Sequence, residues 1–361
     1  MASRVRLPRG VVRAVLDQLE QRRLDHLTVG NVRVPVSHPE RILWPATADC
    51  DAVTKRDLLR YFVRTADHLL RHLRDRPLTL HRYPTGLAGK HFFQKHVETT
   101  LPTFVDHACL YAEQHGSSGE HVVCNNLPTL LWLGQVANVE LHPWQSRITA
   151  EPDAHGLSQT FSGSLAALEA SVVNYPDFMV FDLDPYLYAG TEAPGGEPRL
   201  HRAGFVHTAE AAVWIKEVLD ELGLRSFVKT SGKTGLHIVV PILRQFDYDT
   251  VRRLSEQICR YVLRRHPDRL TTEWAIDRRR GKIFLDYNQN TRGKTLACAY
   301  SPRALPGAPV SVPVDWAELE HSYPGDFDLH TVQARLERKG DPWANILSAK
   351  NDLTALVAAS E

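Results

Sequence analysis

Residues 178–185, FMVFDLDP, read as a buried strand that ends in carboxylates: Phe178 to Phe181 are apolar, Asp182 and Asp184 follow, and Pro185 closes the run. Side chains alternate along an extended chain, so Asp182 and Asp184 share one face while Phe181 and Leu183 share the other. Two hard oxygen ligands held side by side suit Mg²⁺ or Mn²⁺. The same D-x-D spacing also describes a pair of solvated turn residues before a proline, and both readings stand at this point.

Working outward, a helix is predicted over Ala209–Leu222 with Gly223 as its stop, and FVKTS and HIVVPI are predicted strands. A second helix follows over Asp249–Arg265, then a strand KIFLDY. Upstream, 11–24 reads as an amphipathic helix, Val29–Val36 as a short strand, and Thr54 with Asp57 as the capping box of a helix carrying Leu58, Leu59, Phe62, Ala66, Leu69, Leu70 and Leu73 on one face. LTLHRYP is a strand leading through the turn TGLAGK to HFFQKH, 125–139 a helix ending near LHPW, and 146–174 a long surface excursion. Helices and strands mix without strict alternation, which predicts an α+β fold.

Asp286 ends the apolar run KIFL, where a third acid can meet Asp182 and Asp184 across a sheet. Three such carboxylates repel one another unless a cation joins them, so their convergence would argue for metal; the ordinary alternative is an edge carboxylate paired with Arg278, Arg279 or Arg280. Ser231 to His237 (SGKTGLH) combines a glycine turn, whose N–H groups can face a polyphosphate, with Lys233 and His237 as further donors. It fails the Walker A pattern, and a plain hairpin turn is the alternative. Phe92 and Phe93, between Lys90, His91, Lys95 and His96, suit base stacking beside phosphate-binding cations, with one ring expected buried and one available. Arg278–Arg280, Lys282, Arg292, Lys294 and Arg303 form the densest basic region, which can equally be a solvated face.

The 361 residues are 43% hydrophobic, which excludes disorder of the whole chain, and 43 Lys+Arg against 42 Asp+Glu leave no overall pull toward nucleic acid. Five scattered cysteines without a C-x-x-C pair fit neither a disulfide framework nor a structural zinc site. No apolar stretch approaches the roughly 18 residues of a membrane span, and the first ten residues lack a signal-peptide core. A soluble cytoplasmic protein without membrane partners is expected.

Taken in order, FFQKH, LHPW, FDLDP, TSGKTGLH, FLDYNQNTRGKT and YSPRALPG resemble the polymerase domain of bacterial ligase D, a branch of the archaeo-eukaryotic primase superfamily, from about Val29 to the neighbourhood of Trp343. The resemblance implies an α+β primase-like catalytic core in which two sheet-containing lobes flank an active-site cleft. It divides the chain into an N-terminal helical extension (1–28), a catalytic domain (29–345, with 150–172 as an inserted loop) and a C-terminal polar tail (346–361). It makes Asp182, Asp184 and Asp286 the catalytic ligands of two divalent cations, Mn²⁺ or Mg²⁺. It places Ser231, His237 and nearby Lys233 on the triphosphate, His142 beside the sugar as a reader of the 2′-hydroxyl, and Arg303 at the nucleotide. Phe92, Phe93 and Lys95 would meet the template strand and Arg41 and Lys55 a downstream 5′-phosphate.

The implied function is template-directed nucleotidyl transfer by a DNA-repair primase-polymerase. It would add nucleotides, ribonucleotides by preference, to a primer 3′-hydroxyl at gaps or broken ends bearing a 5′-phosphate. Implied partners are nucleoside triphosphates, such DNA, and a separate ligase or Ku-like end binder, in a cytoplasmic, nucleoid-associated setting. Relatives often read S-G-x-K-G-L-H, so Lys233 sits one position early, and the excursion before Asp182 is longer than usual. The length leaves no room for ligase and phosphoesterase domains, so a stand-alone relative is expected. A metal-dependent nuclease or phosphoesterase and a non-catalytic DNA-end binding module are the competing readings.

Overall fold

The computed structural model describes residues 7–113 and 116–360. A six-stranded sheet runs in the order Leu270–Thr271, Ile283–Asp286, Phe178–Pro185, Leu236–Pro241, Phe227–Thr230, Pro313–Val314, antiparallel except for its first pair. The strand that ends in D-x-D is therefore an inner one, and Met179, Val180, Phe181 and Leu183 are fully buried. Helices Arg202–Glu221 and Tyr248–Arg265 pack on it and on each other. The first starts earlier than its apolar pattern suggests because the His201 side chain caps it, accepting from the Gly204 N–H; it ends before Gly223, whose φ of +71° breaks the helix as expected.

A second sheet holds Phe92–Gln94, Leu78–Arg82 and Asn138–Pro143, in that order and antiparallel. Helix Lys55–Leu73, opened by the predicted Thr54–Asp57 capping box, packs on helix Leu127–Gln135, which packs on the strand Asn138–Pro143. That second helix does not reach Val139. It stops at Gln135, Ala137 turns the chain at φ +55°, and the return is the strand carrying His142. The apolar run simply changes period there, a change that short apolar segments conceal. Residues 298–311 join the two sheets: Cys298 N–H donates to Leu141 O (2.8 Å), Ser301 Oγ accepts from Leu141 N–H (2.9 Å), and Ser311 Oγ donates to Thr230 O (2.7 Å). One continuous hydrophobic core spans both sheets.

Four expectations need correction. Val29–Val36 is not one strand but the turn and second arm of a hairpin, His26–Val29 with Val32–Pro35, bent at Gly30 (φ +58°). The amphipathic helix before it is shorter, Arg9–Leu19, and puts Val15 and Leu19 into the main core. The excursion is anchored rather than superficial: Ala154, Leu168, Val172 and Val173 build a second core with Ala108, Leu110, Val123 and Trp144. Asp153, also in it, accepts from Arg244 (2.9 Å) within a buried ion cluster centred on Asp177. Lastly, the expected polar tail 346–361 is not one over its described residues, 346–360. Ile346, Leu353 and Val357 are buried in the main core, and Lys350 donates to Asp177 at 2.6 Å. Among the described residues no helix is long and apolar enough to cross a membrane.

Candidate active site

Sheet register assembles the acids. Asp182 lies opposite Asp286 on one side and opposite His237 on the other, so three residues far apart in sequence become direct cross-strand neighbours. Asp184, two residues on, shares the face of Asp182. Burial raises Asp182 to about 6 against the pull of Lys229 and Arg303. Burial and then the Asp182 charge raise Asp286, also to about 6. Asp184 is pushed well above the ordinary carboxylate range by burial and by both neighbours. Gln289 Nε2 donates to Asp286 Oδ2 (3.1 Å) and to Asp182 Oδ2 (3.4 Å), one amide bridging two carboxylates. Asp182 Oδ1 is buried and makes no hydrogen bond among the described residues, with His237 Nε2 facing it at 3.3 Å. Crowded, under-satisfied carboxylates of this kind are hard-cation ligands in waiting, so the residues fit a divalent metal.

The Ser231–His237 turn lies directly against this floor. Ser231 Oγ accepts from the N–H groups of Lys233 and Gly235 (both 3.1 Å), so the hydroxyl expected at the triphosphate also closes its own turn. Gly232 has φ +72°, and a Cβ there would come within 2.6 Å of Arg303 Cγ. A Cβ on Gly235 would sit 2.1 Å from Leu183 O and 3.2 Å from Asp184 Oδ1, so only glycine lets the turn reach the D-x-D strand. Lys233 is exposed, His237 and Arg303 are buried, and Arg303 donates to Ser231 O.

Sequence reading passed over four residues. Lys229, opposite His237 in the register, is buried and donates to His237 Nδ1 (2.7 Å) and Ser311 Oγ (2.5 Å); burial and then Arg303 depress it to about 7. A lone cation inside FVKTS was its signal. Gln289 was readable as one turn beyond Asp286. Glu140 and His81 were signalled by alternation, since Glu140 shares a strand face with His142 and pairs across to His81.

Phe92 and Phe93 are 44% and 63% exposed, so the expected burial of one ring fails. Their strand is the edge of a three-stranded sheet, and both rings stay exposed. Phe92 lies under Arg82 (5.4 Å), Phe93 stacks on His81 (centroids 3.9 Å), and Lys95 is exposed nearby. Lys55 is buried, donates to Ser37 O (2.8 Å), and is lowered to about 8 by burial and by Arg41, which itself donates to Pro84 O. These two cations are thus neighbours. Arg279, expected in a basic face, is instead buried over the Phe284 ring (3.5 Å) and donates to the Tyr186 hydroxyl (2.8 Å).

Two carboxylates paired across strands, a third two residues along on the same face, and a glycine-hinged polar turn beside them, on a mixed helix and sheet core, are the arrangement expected of a nucleotidyltransferase. Comparison with known proteins extends this to the family. The model of the LigD primase-polymerase domain matches residues 54–343, and the chain belongs to that family. It is 32% identical over 89% of its length to the multifunctional non-homologous end joining protein LigD of Pseudomonas aeruginosa, and 31% identical over 80% to the bifunctional LigD of Bacillus subtilis. It spans 34% and 41% of those two longer proteins. Among solved structures it is similar to the polymerase domain of Mycobacterium tuberculosis ligase D in complex with DNA, with TM-score 0.72 and 26% identity, covering 88% of this chain and 99% of that one.

Proposed function

We propose that this chain extends a primer 3′-hydroxyl on a DNA template at gaps or broken ends, with ribonucleotides preferred, as a repair polymerase of the end-joining type. The observation carrying this reading is the register that sets Asp286, Asp182 and His237 side by side next to the Ser231–Gly235 turn. Asp182, Asp184 and Asp286 would hold two divalent cations, Mn²⁺ or Mg²⁺, which would supply stabilisation of the negative charge that builds on the phosphate during transfer. The protein's own groups do the rest. Lys233, His237, Arg303 and the turn with Ser231 hold the triphosphate, and His142 faces the sugar. The exposed Phe92 and Phe93 rings with Lys95 accept template bases and backbone. Arg41 and Lys55 take a 5′-phosphate downstream of a gap. The DNA-bound state of the mycobacterial neighbour and the end-joining names of the relatives support DNA as the partner; a ligase and a Ku-like end binder would act beside this chain, supplied separately or in one longer polypeptide.

A gapped duplex bearing a 5′-phosphate, each nucleotide in turn, and Mg²⁺ or Mn²⁺ test the reading. Extension should require a nucleoside triphosphate and disappear in Asp182→Ala and Asp286→Ala proteins that still bind the duplex. Extension that survives those substitutions refutes the assigned site. Release of mononucleotides without added triphosphate supports a nuclease instead.

A further inference from the structure

We infer that Glu140 sets sugar selectivity as a positioning residue: its carboxylate holds His142 by Nε2, which leaves Nδ1 to accept from a 2′-hydroxyl, and ties this reader to the triphosphate turn through Arg303. The inference rests on the reading of His142 as the group facing the sugar.

Glu140 is 2% exposed, yet one carboxylate meets four partners. Oε2 accepts from His142 Nε2 at 2.7 Å and lies 3.4 Å from His81 Nδ1. Oε1 accepts from the Ala304 N–H at 2.8 Å and lies 3.2 Å from Arg303 Nε. Burial alone would raise this acid, but the hydrogen bonds from His142 and His81 and the charge of Arg303 hold it well below the ordinary carboxylate range. It is an anion wired to both sides of the pocket.

Two histidines and a glutamate are also the ligand set of many zinc sites, and the ligand atoms of His81, Glu140 and His142 lie within 4.8 Å of one another. Distance decides between the readings. Two ligands on one tetrahedral zinc, each at about 2.0 Å, stand roughly 3.3 Å apart, whereas Glu140 and His142 are 2.7 Å apart, the length of a charge-assisted hydrogen bond. The other carboxylate oxygen is already engaged by the backbone of Ala304 and by Arg303. The trio is a hydrogen-bond hub.

Donation from Nε2 fixes the His142 tautomer. Burial holds the ring below its usual protonation range even against the pull of Glu140, so Nδ1 carries a lone pair. An acceptor in that place is satisfied by a hydroxyl and left unpaired by a 2′-deoxy sugar, and sites built to bond a hydroxyl discriminate strongly against analogues that lack it. Through Arg303, which donates to Ser231 O, the same carboxylate links sugar reading to the turn beside the acids.

Single-nucleotide gap filling with ribo- and deoxyribonucleotides, on His142→Ala, Glu140→Gln, Glu140→Asp and the His142→Ala/Glu140→Gln double variant, tests this. The ribo-to-deoxy ratio of kcat/KM should fall at least about tenfold in His142→Ala. It should fall comparably in Glu140→Gln, through the ribonucleotide KM, with no further fall in the double variant. Glu140→Asp keeps the charge but withdraws it from His142, and should fall likewise if Glu140→Gln does not fold. An unchanged ratio in His142→Ala refutes the sugar reading itself. A changed ratio there with an unchanged one in the Glu140 variants, or an equal loss for both nucleotides, overturns only the role of Glu140. Stoichiometric zinc in the purified protein, lost in His81→Ala, overturns the hydrogen-bond assignment.

Discussion

Asp286→Asn should stabilise the metal-free protein while abolishing its activity. Asp286 is 7% exposed and faces Asp182 across paired strands. Burial and that neighbour raise it from 3.8 to about 6. A raised folded-state value means that the folded protein binds this proton more tightly than the unfolded chain, so the ionised form opposes folding. The penalty is complete above about pH 7 and is relieved as pH falls from about 6 toward 3.8. At 1.36 kcal/mol per unit it is about 3 kcal/mol at pH 8, roughly half that at pH 5, and little at pH 4. The amide keeps the acceptor for the Asn288 N–H (2.9 Å) and removes the second anion beside Asp182, at the cost of about 1 kcal/mol for the Oδ2 acceptor of Gln289 Nε2 (3.1 Å) that it gives up. Urea unfolding in a chelator should therefore give the variant an advantage of about 1–3 kcal/mol at pH 8 that shrinks to nearly nothing at pH 4. Millimolar Mn²⁺ should return much of the difference to the parent alone. A variant less stable than the parent at pH 8, or an advantage equal at both pH values, refutes the view that Asp286 is a crowded carboxylate awaiting a cation.

Other substitutions probe separate parts of the molecule. Gly235→Ala should push the turn off the D-x-D strand, raising the nucleotide KM in steady-state extension by about tenfold or more, because its Cβ would meet backbone at 2.1 Å. Arg41→Gln with Lys55→Met should erase the preference for 5′-phosphorylated over 5′-hydroxyl gaps in binding assays. Since Lys55 is depressed to about 8, that preference in the parent should weaken between pH 7.5 and 9 as its ammonium discharges, and Lys55→Met should flatten the profile. Asp177→Asn should cost about 3–5 kcal/mol in urea unfolding, because it removes the carboxylate that Arg76, Arg147 and Lys350 reach within 2.9 Å, leaving buried Arg76 without its counter-ion and the other two cations with Asp153 alone.

What the sequence made legible was whatever a local period or a cap encodes. Phe178–Pro185 shows its alternation and its terminal acids within eight residues, and Thr54 with Asp57 announces a helix start with side-chain chemistry that the structure reproduces. What stayed hidden depends on partners distant in the chain. Nothing local to Phe92 and Phe93 says that their strand is a sheet edge that leaves both rings exposed. Asp153 looks like a loop acid until Arg244 and Lys350, far along the chain, close around it. Glu140 looks like an ordinary polar position in a strand. Its weight comes from His81 across the sheet and from Arg303 and Ala304 beyond it.

The tightest dependence of site on fold is at the end of the strand Ile283–Asp286. Continued pairing would have set backbone opposite Val180; instead the chain turns into the short 3-10 helix Tyr287–Asn290. The Asn290 side chain takes over the missing ladder, accepting from Val180 N–H at 2.8 Å and donating to Val180 O at 2.7 Å, with Ser255 Oγ at 3.0 Å holding the amide. That substitution satisfies the strand while freeing the chain to bend, and the bend carries Gln289 back over Asp182 and Asp286. It also locks the register, since a one-residue slip would turn Asp286 to the opposite face and strip Val180 of both partners. The motif FLDYNQN thus works as one unit: the aspartate supplies the charge, the glutamine bridges it to its neighbour, and the asparagine fixes the frame in which both meet.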